Sequence, residues 1–377
     1  MCSHLAEMAP SGRILGVKPS SPWPHHLGSN MAPVVSSVDQ TRDDSDHPDT
    51  DGVSLVGILS AAQRIKPFVH MTPVLTCQAL DEMSGGRNVF FKCELFQKTG
   101  SFKARGACNA VLQVPQDCKD VVTHSSGNHG QAVAWASKIR GMDAHVVMWS
   151  NSRPVKVAAV RDYGASVTFC EPVKFAREKT TEAILSRMPN AAFIPSSNDP
   201  KVICGQGTLG LEFVEQVKRL CGSSLDAIIV PIGGGGMISG VTTAVKSLCP
   251  GIRVIGAEPA EADDAYRSKM SGELCSHKGP DEPQTIADGL KIHLASKAWP
   301  VVRDKVDEIV TVSEEEIKRW MKVVYERMKL AIEPSAAVGV AALMSPQVRS
   351  LPPSIKKIGV VICGGNVDMA SLRDAFA

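Results

Sequence analysis

The sequence predicts an α/β protein built on parallel sheets. Short apolar segments typical of buried strands alternate with segments in which apolar residues recur at helical spacing. Glycine-rich turns follow several of these strands, where an open parallel sheet places its ligand sites. The composition agrees, because 31 glycines and an aromatic content of only 5% suit close packing of helices on sheets.

The regular pattern begins at Val53, and a first helix carries Val56, Leu59, Ala62 and Ile65 on one face. We predict strands at residues 88–93, 121–123, 143–149, 166–170, 226–231, 252–258, 309–312 and 358–362. We predict helices at residues 102–112, 130–136, 154–161, 174–187, 205–217, 237–248, 314–328 and 335–343. Ser313 and Glu316 form a capping-box pattern where one of these helices starts.

The chain divides into three regions. Residues 1–52 are rich in proline and serine and end in an acidic run, so we expect a disordered N-terminal extension. It has no apolar stretch of the kind found in secretory signals, and its acidic half argues against a transit peptide, although Arg13 and Lys18 leave that open. Met31 is an alternative start. We predict a large domain from residues 53–119 and 198–377 and a small domain from residues 120–197.

Charge and cysteine content narrow the class of protein. A formal net charge of +2 gives no general attraction to nucleic acid or membranes. No apolar run approaches the ~20 residues of a membrane span. Eleven cysteines without metal-like spacing predict reduced thiols in a cytoplasmic protein.

The strongest motif is the tetraglycine run Gly233–Gly236. It follows a predicted buried strand and precedes a helix, so its N–H groups can converge on an anion. It has neither the lysine of a phosphate-binding P-loop nor the spacing of a dinucleotide site, which favours a single phosphate group. The alternative is a flexible turn.

Three further turns complete a candidate cleft. Lys103 lies in the first turn of a helix, next to Phe102 and after Gly100, where a desolvated lysine could form a Schiff base; the alternative is a solvated surface lysine. The turn at residues 125–129 could hold a carboxylate, or could simply be an N-cap. Cys363 begins a glycine turn after the last strand. Because strand ends meet at one edge of a sheet, we expect one cleft between the two domains.

These motifs, Ser-Phe-Lys-x-Arg-Gly, Ser-Ser-Gly-Asn-His-Gly, the tetraglycine loop and Gly-Gly-Asn-Val, resemble those of the fold-type II pyridoxal-phosphate enzymes, which have a tryptophan synthase β-like fold. Within that group the resemblance is to the serine/threonine dehydratase family, which includes serine racemases, and it runs from about residue 53 to the end. It implies racemisation of L-serine to D-serine with β-elimination to pyruvate and ammonia. The alternatives are an aspartate racemase and a serine/threonine dehydratase without racemase activity.

The resemblance also assigns roles at the cleft. Lys103 would hold pyridoxal 5′-phosphate as a Schiff base and act as one base, and Ser126 would be the second base on the opposite face. Ser126 favours a racemase, whereas Cys363 facing the cofactor nitrogen is more typical of some dehydratases. The other cofactor-binding residues would be Phe102, Asn128, Gly233, Gly234, Gly235, Gly236 and Met237, and the substrate carboxylate would lie against Ser125, Asn128, His129 and Arg177.

Further sites follow from the same resemblance. Glu258, the Ala262 carbonyl and Asp264 would bind Mg²⁺, or Ca²⁺ or Mn²⁺, although an acidic loop alone is usually just solvated. ATP at a homodimer interface would contact Lys98, Thr99, Gln131, Tyr163 and Asn366. The segments at Ser196 and His293 depart from the racemase pattern. His293 is either a buried structural histidine or, with the serine loop, a group that accommodates a second substrate carboxylate.

Overall fold

Two sheets organise the computed structural model, which describes residues 52–279 and 282–376. The larger sheet contains β1 (Val74–Leu75), β2 (Asn88–Cys93), β7 (Ala227–Pro231), β8 (Arg253–Pro259), β9 (Glu308–Val312) and β10 (Lys357–Ile362) in the order β1-β2-β10-β7-β8-β9. Only its edge strand β1 is antiparallel to its neighbour. The smaller sheet is parallel throughout and contains β3 (Asp120–His124), β4 (Asp143–Trp149), β5 (Ser166–Cys170) and β6 (Ala191–Phe193) in the order β5-β4-β3-β6.

Helices connect the parallel strands. They are α1 (Leu55–Ile65), α2 (Gln78–Met83), α3 (Lys103–Val111), α4 (Asn128–Arg140), α5 (Pro154–Asp162), α6 (Ala176–Arg187), α7 (Pro200–Cys221), α8 (Gly236–Leu248), α9 (Asp264–Ser271), α10 (Trp299–Lys305), α11 (Glu314–Val323), α12 (Pro334–Leu343), α13 (Pro346–Arg349) and α14 (Met369–Phe376). A π-helical turn, Val324–Met328, extends α11. No helix of the described residues is long and apolar enough to cross a membrane.

Each sheet has its own apolar core. Every residue of β7 is buried, as expected for a central parallel strand covered on both faces. One core surrounds the larger sheet and a second surrounds the smaller sheet. The helix α7 contributes to both, because its Val202 packs in the second core and its Leu209 in the first. The division into a large and a small domain at residues 120–197 stays a prediction.

The predicted strands at 88–93, 143–149 and 166–170 are confirmed residue for residue. The capping box at Ser313 and Glu316 is also confirmed, with both reciprocal hydrogen bonds present. The sequence pattern missed the shorter elements β1, β6, α2, α9, α10, α13 and α14. The predicted extension at residues 1–52, and Met31 with it, lies outside the described residues except for Gly52.

The predicted start of α7 at Gly205 is wrong. The helix begins at Pro200, where the Asp199 side chain accepts hydrogen bonds from two backbone N–H groups of the first turn. Its glycines are packing residues rather than helix breaks. A Cβ on Gly205 would lie 2.6 Å from the Gly106 Cα in α3, and one on Gly207 would lie 2.8 Å from the Gly240 oxygen in α8.

Candidate active site

A cleft of about 640 Å³ lies where strands of both sheets end. The turns after β3, β7 and β10 line it, and so do the starts of α3, α4, α8 and α12. All ten residues predicted to bind the cofactor or to act on substrate line this cleft: Phe102, Lys103, Ser126, Asn128, Gly233, Gly234, Gly235, Gly236, Met237 and Cys363. The predicted substrate contacts Ser125, His129 and Arg177 line it as well.

Lys103 is the first residue of α3, and two backbone bonds fix the turn before it. The Phe102 N–H donates to the Cys363 oxygen at 3.1 Å, and the Gly365 N–H donates to the Gly100 oxygen at 2.9 Å. The lysine Nζ donates to the Ser196 carbonyl oxygen at 2.7 Å. Burial lowers the pKa of Lys103 to about 8, although the charge of Glu333 opposes the shift. The alternative of an ordinary solvated lysine is therefore wrong.

Ser126 lies in the turn between β3 and α4. Its Oγ accepts hydrogen bonds from the Trp149 N–H at 3.3 Å and from the Ser152 hydroxyl at 2.9 Å. The N-cap of α4 is Gly127, and no side chain caps the helix. The alternative of a simple serine or asparagine N-cap is therefore wrong, and the first N–H groups of α4 stay available to an anion.

His129 is buried beneath the same turn. Its Nε2 lies 3.0 Å from the Ile194 carbonyl oxygen. Burial lowers the pKa of His129 to about 3, and the charge of Lys103 lowers it further. The imidazole is therefore neutral near pH 7, and its Nδ1 has no partner among the described atoms.

The sequence pattern missed Glu333, which is buried at the back of the cleft. The Asn128 amide donates to both Glu333 carboxylate oxygens, at 2.9 and 3.0 Å. The Asn128 oxygen in turn accepts from the Asn366 amide at 2.9 Å. Burial raises the pKa of Glu333 to about 7, although the hydrogen bonds from Asn128 lower it in part. No local motif marks this glutamate, because its partner lies 205 residues away in the chain.

The tetraglycine loop joins β7 to α8 and leaves no room for side chains. A Cβ on Gly234 would lie 2.3 Å from the Ser197 Oγ, and one on Gly235 would lie 2.5 Å from the Leu294 Cδ1. Gly235 also has a φ of 78°, in the left-handed region that favours glycine. The loop therefore presents backbone N–H groups at a helix N-terminus, which suits a phosphate better than a flexible turn would.

Cationic groups lie at the mouth of the cleft. The Arg177 guanidinium lies 3.9 Å from the centre of the Trp149 ring, and one of its nitrogens is 3.9 Å from a Glu282 oxygen. Lys156 forms an ion pair with Asp288. Arg177 was predicted, but the sequence pattern missed Trp149, Ser152 and Lys156, although Trp149 ends β4 and Ser152 lies three residues further on, at the strand ends where ligands bind.

Both expectations for His293 are wrong. The imidazole is exposed, so it is not a buried structural histidine, and it is not among the residues that line the cleft. It packs edge-to-face against His277, with ring centres 5.6 Å apart. Lys291 and Ile292 line the cleft instead, and so do Ser196 and Ser197.

Comparison with known proteins identifies the family of this chain. The family model described as "Pyridoxal-phosphate dependent enzyme" matches residues 65–364. This chain belongs to that family. The serine racemase of Homo sapiens is 46% identical over 324 residues, which cover 85% of this chain and 93% of the relative. The serine racemase of Arabidopsis thaliana is 47% identical over 326 residues, covering 85% of this chain and 96% of the relative.

Two solved structures of the family are also similar. The structure of maize serine racemase has a TM-score of 0.81 at 42% identity, covering 86% of this chain and 97% of the other. A pyridoxal 5′-phosphate-dependent aspartate racemase has a TM-score of 0.79 at 39% identity, covering 85% of this chain and 98% of the other. The predicted fold class, a fold-type II pyridoxal-phosphate enzyme, is confirmed.

Outside the cleft, the structure brings together the residues of the predicted metal site. Glu258 lies near the end of β8, Ala262 lies in the next turn and Asp264 begins α9; all three are buried. Glu258 accepts N–H bonds from Ala265 and Tyr266, at 3.0 and 2.9 Å. Burial raises the pKa of Glu258 well above its usual range, and the charge of Asp264 raises it further. In the described part of the chain, no three acidic, histidine or cysteine side chains form a metal cluster.

Of the residues predicted to bind a nucleotide, only Asn366 lines the cleft. Its amide donates to the Thr99 carbonyl oxygen at 2.7 Å. Lys98 and Thr99 lie in a short turn that packs against α4, the helix that carries Gln131. Tyr163 directly follows α5 as its C-cap. The ten cysteines of the described residues are all free thiols, in line with the prediction.

Proposed function

We propose that this chain is a pyridoxal-phosphate dependent racemase that converts L-serine to D-serine, and that it also eliminates water from serine to give pyruvate and ammonia. The observation that carries the proposal is that Lys103 and Ser126 line one cleft from different elements. Racemisation needs one proton-transferring group on each face of the substrate Cα, and these two residues supply such a pair.

The residues of the cleft fit pyridoxal 5′-phosphate. The Gly233–Gly236 backbone and the start of α8 would bind the phosphate, because the loop exposes N–H groups that side chains would cover. Phe102 would lie against the ring, and Cys363 would face its nitrogen. Burial raises the pKa of Cys363 well above its usual range, so the thiol stays neutral. When bound, the cofactor withdraws electrons from the substrate Cα and makes its proton removable.

Lys103 acts as the proton-transferring group on one face. A pKa of about 8 lies close to neutral pH, so the amine can both accept and return a proton. Its bond to the Ser196 oxygen holds the amine inside the cleft. Removal of the α-proton begins both racemisation and elimination, so Lys103 serves both reactions.

The α4 turn positions the substrate. Its free N–H groups and the Ser125 hydroxyl would bind the substrate carboxylate, with the help of the helix dipole. His129 contributes no positive charge, because its pKa is about 3. Arg177 lines the same cleft and supplies the positive charge that would pair with the substrate carboxylate.

Incubation of the holoenzyme with L-serine tests the proposal. Chiral chromatography should find D-serine, and a coupled assay should find pyruvate. Ser126→Ala should remove racemisation and spare elimination, whereas Lys103→Ala should remove both along with the visible absorbance of the lysine-bound cofactor. Ser150→Ala is the matched control, since this exposed serine does not line the cleft. Pyruvate without D-serine from the wild-type enzyme would instead indicate a dehydratase, which Cys363 favours.

Aspartate is the second candidate substrate. Arg177 and Lys291 both line the cleft, and the buried Arg177 Nε has no partner among the described atoms. These groups could hold a second carboxylate. Turnover of L-aspartate to D-aspartate faster than turnover of serine would favour this function.

Three finer features are also proposed. A divalent cation such as Mg²⁺ between Glu258, the Ala262 carbonyl and Asp264 would neutralise two buried like charges. ATP would act through Asn366, whose side-chain amide donates hydrogen bonds to both Thr99 and Asn128 and so links Thr99 to the cleft. A cytoplasmic homodimer completes the proposal. Equilibrium sedimentation tests the dimer, and activity with and without ATP tests the nucleotide.

A further inference from the structure

The turn after β4 brings two hydrogen-bond donors to one atom, the Ser126 Oγ. The Ser152 N–H donates to the Trp149 oxygen at 3.0 Å and so closes the turn. The closed turn points the Trp149 N–H and the Ser152 hydroxyl at Ser126, at 3.3 and 2.9 Å. Both serines are half-buried and line the cleft.

The register of the smaller sheet fixes this meeting. The strands β3 and β4 run parallel, with His124 opposite Val147, and the Ser125 N–H donates to the Val147 oxygen at 3.1 Å. The segments that follow β3 and β4 therefore leave the sheet side by side. Ser126 and the turn that carries Ser152 are 26 residues apart in sequence, and the pairing of the strands places them in contact.

We infer that Ser152 is a positioning residue for racemisation, which holds the Ser126 hydroxyl in the orientation and charge environment that proton transfer needs. The inference rests on the proposed function. In both hydrogen bonds the Ser126 oxygen is the acceptor, which leaves its own hydrogen for the cleft. When Ser126 gives up that proton, two donors already point at the oxygen that becomes negative.

The two donors explain how a serine can work as an acid–base group. A hydroxyl loses its proton far less readily than an amine of lowered pKa such as Lys103 does, so the deprotonated oxygen needs stabilisation that is in place beforehand. A backbone N–H and a hydroxyl aimed at that oxygen provide it. Lys103 makes no hydrogen bond with these two donors. A defect at Ser152 should therefore affect proton transfer only on the face of the substrate Cα that Ser126 serves.

The test is Ser152→Ala, with Ser150→Ala as the matched control in the same turn and Ser152→Thr as the conservative variant that keeps the hydroxyl. With L-serine as substrate, Ser152→Ala should lower kcat for D-serine formation about 10- to 100-fold, because one of two donors to a charged oxygen is lost. The KM for serine and the rate of pyruvate formation should stay within about twofold of wild type, and Ser152→Thr should recover most of the lost rate.

A second readout needs neither cofactor nor turnover. In a crystal structure of the wild-type apoprotein, the Ser126 Oγ should occupy one rotamer, whereas in Ser152→Ala it should occupy more than one. A single unchanged rotamer in the variant would overturn the positioning role.

The kinetic outcomes separate this inference from the proposed function. If wild type forms D-serine and Ser152→Ala forms it at the same rate, the inference fails alone. Equal loss of racemisation and elimination in Ser152→Ala would also overturn it, because a general structural defect would then explain the result. If wild type forms no D-serine, the proposed function fails and this inference fails with it.

Discussion

Replacement of Arg105 by methionine should destabilise the protein strongly, although the residue does not line the cleft. Arg105 lies in α3, two positions after Lys103, and its side chain is fully buried. Its guanidinium donates two hydrogen bonds to Glu94, at 2.8 and 2.9 Å, and two to Glu212, both at 2.8 Å. A methionine of similar volume removes all of these bonds and the positive charge.

The surroundings show where the free-energy cost falls. Glu212 keeps a second cation, because the Lys92 Nζ donates to it at 2.8 Å, and its side chain is 20% exposed. Glu94 is fully buried, and in Arg105→Met its side chain would keep one hydrogen bond among the described residues, from the Thr72 hydroxyl at 2.5 Å. Loss of one partner from a buried ion pair typically costs about 3–5 kcal/mol. We therefore expect Arg105→Met to lower the free energy of unfolding by that amount, mainly through Glu94.

Urea unfolding of the apoprotein, followed by tryptophan fluorescence, measures this difference. Arg219→Met is the matched control, because that arginine is 59% exposed and pairs with Glu215 one helical turn away; about 0.3–0.5 kcal/mol should be lost. Adding Glu94→Gln to Arg105→Met removes the stranded charge and should recover about 1–2 kcal/mol. A loss under about 1 kcal/mol in Arg105→Met, or no recovery in the double variant, would refute the reasoning.

Three further predictions concern the cofactor and the metal. The rate at which the apoenzyme captures pyridoxal phosphate should rise as the pH passes through about 8, because the Lys103 amine loses its proton there. Stopped-flow absorbance measures this rate, and a rate that does not change with pH would contradict the prediction. Gly234→Ala should weaken cofactor binding about 10-fold or more, since its Cβ would meet Ser197 at 2.3 Å. Gly251→Ala is its control, because no atom lies within 4 Å of the new Cβ. Equal affinities of the two variants for pyridoxal phosphate would count against phosphate binding by the Gly233–Gly236 loop. EDTA should lower the thermal midpoint of wild type but not that of Glu258→Gln, and an equal response in both would argue against the metal site.

The sequence predicted those parts of the fold and site whose signals are local. The Gly233–Gly236 loop and Lys103 each have their chemistry within a few neighbouring residues, and both line the cleft. Glu333 and Ser152 gave no such signal, because their partners Asn128 and Ser126 lie 205 and 26 residues away. Only the pairing of strands and the packing of helices bring these groups together.

The failure at His293 has a different cause. The segment that carries His293 does reach the cleft, because its residues Lys291 and Ile292 line it. In a helix or a strand the direction of the side chains repeats with a fixed period, but in an irregular loop it does not, so residue spacing cannot predict it. The chain turns after Ile292, so His293 faces His277 outside the cleft while Leu294 is buried.

The two proposed bases are fixed by different parts of the structure, and this has a consequence for the chemistry. Lys103 is held through Phe102 to the end of β10, in the larger sheet, whereas Ser126 is held by the turn after β4, in the smaller one. Elimination needs only the lysine face, but racemisation needs both faces in register. Any change that loosens the contacts across the cleft, such as that between Asn128 and Glu333, should therefore reduce D-serine formation more than pyruvate formation. The ratio of these two products is the measurement that reports how firmly the two sheets are held together.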